Sequence, residues 1–116
     1  MANICDTKLA VNSTKETTAT AKEMIAWLDE NYVYDGSGGF EDTGEIFGEP
    51  IGDDEVRIIE GYAGTRWNVN DEILQEFCKL FKVSARAIGI EEGVGFVQVV
   101  QVNAEGEVFQ NDEIGF

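Results

Sequence analysis

Two hydrophobic periods follow one another in the second half of the chain, and together they demand a helix packed on a sheet. Ile73, Leu74, Phe77, Cys78 and Phe81 recur at three- and four-residue spacing and form one apolar stripe. Asn68 or Asn70 can cap that helix, Asp71 and Glu72 fall in its first turn, and Lys79 and Lys82 fall at its end, all in the sense the macrodipole favours. From Val94 to Val102 the pattern becomes a dense β-rich run through Phe96, Val97, Val99, Val100 and Val102. Ala85–Ile90 precedes it as a second strand, across a turn at Glu91-Glu92-Gly93. Glu105-Gly106 makes another tight turn, from which Glu107–Phe109 returns as a short strand.

The first half repeats the theme more weakly. Ile4–Val11 alternates loosely and reads as a strand, and Ser13 with Glu16 fits a capping box. Ala21, Met24, Ile25, Leu28 and Tyr32 define an amphipathic helix over Thr17–Tyr32, its first turns weakened by three threonines. Asp35–Gly39 reads as flexible punctuation, and Gly36-Ser37-Gly38-Gly39 lacks the strand and helix that a phosphate-cradling loop needs. Gly44–Gly52, with glycine every fourth residue and Pro50, reads as a loop or an irregular edge strand, and Glu55–Tyr62 as a strand. The order predicts an α+β domain of the ferredoxin-like, split β-α-β type, with two helices on one face of an antiparallel sheet. The 116 residues suffice for one domain, 1–116, carrying an acidic, glycine-containing insertion at about 35–55.

Met1-Ala2-Asn3-Ile4-Cys5 opens directly into the first strand, and Gly64-Thr65-Arg66-Trp67 runs into the second helix ahead of a terminal hairpin. In both tracts the chain resembles the YubB-like, ferredoxin-like proteins of plasmids and phages. The resemblance implies the same fold and an origin in a mobile element, and it implies no reaction.

Charge narrows the function classes. There are 23 acidic and 8 basic residues, a formal charge of −15, so direct binding to nucleic-acid backbones or anionic membranes is disfavoured. Histidine is absent, which removes the commonest general base and zinc ligand and every Ser-His or Cys-His pairing. Cys5 and Cys78 are too isolated for a zinc motif or disulfide framework and read as buried thiols. The acidic stretches lack calcium-loop spacing, so no metal and no cofactor is expected, nor an enzyme. The N-terminus shows no secretory pattern and no apolar run approaches a membrane span, so the expected location is the cytoplasm. Trp67 beside Arg66 reads as a packing residue at the start of the second helix.

The negative charge is concentrated. Residues 35–61 hold nine acids and one base, for −8, against −2 over 1–34 and −5 over 62–116. Glu41, Asp42, Glu45, Glu49, Asp53, Asp54 and Glu55, with Phe47 as an apolar anchor, are therefore the candidate partner-binding residues. Alternate carboxylates on an extended chain recur about every 6.6–6.8 Å. A partner with a basic groove would meet such a row as it meets a phosphate track. The expected function is a non-enzymatic acidic inhibitor that occupies the basic nucleic-acid-binding site of a host defence protein, in the anti-CRISPR or anti-restriction manner. The alternative is a ferredoxin-like interaction module that self-associates, as a homodimer, through the edge of Val94–Val102.

Overall fold

The computed structural model describes residues 4–34, 38–42, 56–66, 68–91, 93 and 95–115. Eight elements follow in order: β1 (Ile4–Ser13), α1 (Ala21–Asn31), β2 (Gly38–Asp42), β3 (Val56–Arg66), α2 (Asp71–Phe81), β4 (Val83–Glu91), β5 (Phe96–Val102) and β6 (Val108–Gly115). The six strands form one open antiparallel sheet in the order β2-β3-β1-β4-β5-β6. The architecture is α+β, as expected, with two strands more than a four-stranded split β-α-β unit.

Strand alternation decides which face is covered. In β1, Cys5, Thr7, Leu9 and Val11 are buried while Asp6 and Lys8 are exposed. Their partners repeat the choice: Val11 lies opposite Ile59 and Ala85, and Leu9 opposite Ala87, which in turn lies opposite Val100. Both helices pack on this inner face, where Met24 and Leu28 of α1 and Leu74, Phe77 and Cys78 of α2 complete one core. Trp27, Phe77 and Phe81 join the helices as an aromatic trio with ring centroids 5.2–6.3 Å apart. Cys5 and Cys78 are free, buried thiols, and burial pushes the Cys78 thiol up to about 12.

The link from β3 into α2 is fixed from three sides. Val69 is fully buried, its N–H donates to Gln98 Oε1 of β5 at 3.1 Å, and its carbonyl accepts from the buried Tyr32 hydroxyl at 2.5 Å. Thr65 and Thr7 share a 3.0 Å hydrogen bond beside it. Gly89 leaves the room that Val69 fills, since a Cβ there would stand 2.6 Å from both Val69 Cγ2 and Cys5 Sγ. Asn70 then takes a left-handed turn (φ 57°) into α2, its N–H held by the Asn68 side chain at 2.6 Å.

Four expectations change. α1 begins at Ala21, capped by Thr20 with Glu23 in a capping box, not by Ser13 with Glu16. Ser13 ends β1 and donates to Val56 O, while the Thr14 and Thr17 hydroxyls both donate to Lys82 O, at 2.8 and 2.7 Å. The threonines thus serve a loop tied to the end of α2. Second, residues 38–42 of the expected insertion are a strand, because Gly61 lets the Phe40 backbone and ring lie against β3; a Cβ at Gly61 would stand 2.6 Å from Phe40 Cα. Third, β3 extends to Arg66 and β6 runs to Gly115, well past Phe109. Fourth, the Val94–Val102 run supplies no free edge: β5 is paired with β4 on one side and β6 on the other, so among the described residues the open edges are β2 and β6.

Gly89→Ala should lower unfolding free energy by about 1–3 kcal/mol, the usual cost of overpacking a filled core. Denaturant melts would show it as an earlier midpoint with an unchanged slope. A neutral result would mean that Val69 is not seated against Gly89.

Candidate acidic interface

Of the eight residues singled out in the sequence, Glu41 and Asp42 are described; Glu45, Phe47, Glu49, Asp53, Asp54 and Glu55 lie outside the described residues. Glu41 and Asp42 end β2, the five-residue strand on one open edge of the sheet, and both are exposed. Glu41 lies directly opposite Glu60 of β3, and Asp42 opposite the buried Ile59. Alternation therefore sends Glu41 to the outer face and Asp42 to the helix-bearing side. Like charges facing each other across a strand pair are destabilising. Arg57 reaches this pair from the Glu60 side, through Nη1 to Glu60 Oε1 at 2.8 Å, with Nε donating to Asn12 Oδ1 at 3.4 Å.

Acidic groups crowd elsewhere too. Asp29 and Glu30 sit near the C-terminus of α1, which has no basic residue in its last turn, so they oppose the negative end of the helix dipole. At the β5–β6 turn the Glu105 carboxyl is raised by a hydrogen bond with Glu107, by the Glu107 charge and, further down, by Glu16. Glu105 and Glu16, together with Lys15 and Lys82, line a hollow of about 250 Å³. The alternate carboxylates at 105 and 107 are legible in the sequence. The approach of Glu16 is created by tertiary structure alone.

The outer sheet face has a different character. Beside Glu41 and Glu60, a hollow of about 460 Å³ is lined by Lys8, Gly39 and Tyr62. At the other end a hollow of about 360 Å³ is lined by Arg57, Arg86, Ser84, Gln101 and Phe109. Among the described residues no group of three or more His, Cys, Asp or Glu side chains is placed to hold a metal ion. Among the same residues no helix is long and apolar enough to cross a membrane.

Two outcomes test this charge map. Glu41→Lys should stabilise the fold by about 0.2–1 kcal/mol, since it turns a like-charge cross-strand pair into an opposite one. Equal or lower stability would show that Glu41 does not face Glu60. Glu105→Gln should raise Tm at neutral pH. Because the Glu105 pKa is raised on folding, the native chain gains stability as pH falls through that range, and the advantage of the variant should shrink in step.

No protein-family model, no curated protein and no solved structure matches the chain.

Proposed function

We propose that this chain is a non-enzymatic binding protein from a mobile element. It occupies the basic nucleic-acid site of a host defence protein, a restriction or CRISPR effector, by presenting carboxylates where that site expects phosphates. The observation that carries the reading is the Glu41–Glu60 pair on an open sheet edge, at the start of the most acidic stretch of the chain. A fold selected only for stability has no use for like charges in register there, whereas a cationic partner would turn their repulsion into attraction. The adverse acids at the end of α1 support the same reading. Glu45, Glu49, Asp53, Asp54 and Glu55 would extend the acidic row, with Phe47 as its apolar anchor.

The strand order also supports a ferredoxin-like assignment. The first six elements run β-α-β-β-α-β with sheet order β2-β3-β1-β4, and β5 and β6 extend that unit beyond β4. In this arrangement the acidic β2 edge lies at the end of the sheet opposite the added hairpin.

The chain, immobilised and exposed to nuclease-treated bacterial lysate, should retain a nucleic-acid-binding protein that is lost at high salt and displaced by a short duplex oligonucleotide. Two variants, Glu41→Lys with Asp42→Lys, and Asp53→Lys with Asp54→Lys and Glu55→Lys, should each weaken capture at least tenfold while leaving Tm unchanged or higher. Capture that survives both variants, or resists the oligonucleotide, overturns the reading.

A further inference from the structure

Among the described residues the sheet face turned away from the helices carries no other element, and its residues form three rows across the strands. One row is Glu41, Glu60, Ala10, Arg86, Gln101 and Gln110; the next is Tyr62, Lys8, Ile88, Val99 and Asp112; the third is Asp6, Ile90, Val97 and Ile114. Tyr62, Ile90 and Ile114 are 62%, 41% and 67% exposed, so several large apolar side chains meet solvent on one surface. The same face holds Lys8, Arg57 and Arg86 against Asp6, Glu41, Glu60 and Asp112. Among the side chains the structure describes, three bases and four acids give −1 on this face, in a chain whose total is −15. It is thus a surface on which two copies can meet without opposing their full charge.

We infer that the chain forms a homodimer by packing these outer faces together, sheet on sheet. The two halves of the face differ in chemistry. The β2–β3 half carries Glu41 and Glu60 beside the cavity of about 460 Å³ with Gly39 and Tyr62. The β4–β6 half is mostly aliphatic, with Ile88, Ile90, Val97, Val99 and Ile114 across it, and it carries Arg86 beside the cavity of about 360 Å³. A two-fold axis along the strands, between β1 and β4, lays each half on the other half of the second copy, as an isologous interface requires. Tyr62 then meets the second copy's Val99, and Glu60 comes beside its Arg86. Six strands at about 4.8 Å spacing and three outward rows give a face of roughly 29 by 20 Å, about 600 Å² per copy before side-chain relief. That lies below the roughly 800 Å² per partner of a standard stable interface and above ordinary lattice contacts, which suits a reversible dimer.

Sedimentation equilibrium of the full chain reads the dimer directly. Self-association should strengthen as salt rises, because salt screens the net repulsion between two copies of charge −15 while leaving apolar burial intact. This is opposite to the salt response of the acidic edge with a basic partner, so the two proposals fail separately. Ile90→Lys and Ile114→Lys each lower the net repulsion, so any weakening they cause reflects lost apolar contact; each should raise the dimer Kd at least tenfold with an unchanged melt. Leu80→Lys, at a 57% exposed position on α2, is the control and should leave the dimer intact. A chain that stays monomeric up to roughly millimolar concentration, or a dimer broken by Leu80→Lys but not by the sheet-face variants, overturns the inference.

Discussion

Everything in this fold converges on the seating of Val69. Its side chain fills the space that Gly89 leaves beside Cys5, and its amide and carbonyl are both satisfied by buried side chains from distant elements, Gln98 on β5 and Tyr32 after α1. Polar backbone in a core is stable only when both groups are bonded. Here the two bonds also fix the entry of α2, the end of α1 and the position of β5 relative to one another. Removing either side chain would leave a buried peptide group without its partner, at a cost of about 1–3 kcal/mol. The hydrophobic core makes the domain compact, and this junction makes its arrangement unique.

Charge is distributed with equal structural consequence. Among the described residues the inner sheet face is mostly apolar and covered by the helices, the outer face is nearly balanced, and exposed acids gather at the β2 edge, on the helix surfaces and at the β5–β6 turn. Such segregation gives the molecule two kinds of contact surface with opposite responses to ionic strength. One attracts cations over a distance of about a Debye length, roughly 8 Å at physiological salt, and the other works only on touching.

The second half of the chain was largely legible because its hydrophobic pattern and its polar signals agree. The α2 stripe, its acidic first turn and the β4–β5 pair appear where periodicity locates them. β6 was underestimated because, beyond Phe109, Gln110, Asn111, Asp112 and Glu113 give no hydrophobic alternation; the strand is held by its ladder to β5 and by amide contacts such as Gln98 Nε2 to Asn111 Oδ1 at 3.0 Å. The start of α1 was misread because Ser13-x-x-Glu16 and Thr20-x-x-Glu23 carry the same local signal. Only the Lys82 carbonyl, 65 and 68 residues along from Thr17 and Thr14, decides between them. Of the candidate site, the acidic excess could be read directly, and its register against Glu60 could not. That register depends on Gly61 admitting Phe40, a contact between segments that share no pattern.

The central position of β1 reaches beyond the finished fold into its synthesis. β1 is flanked by β3 and β4, so both hydrogen-bonding edges of residues 4–13 are satisfied by segments that are translated much later. At roughly 5–20 residues per second, the interval between the end of β1 and the end of β4 is about 4–16 s. Until β3 is complete Leu9 and Val11 have no strand to pair with, and until β4 follows one edge of β1 stays open. Nascent chains of this topology are therefore committed to a wait with an apolar strand exposed.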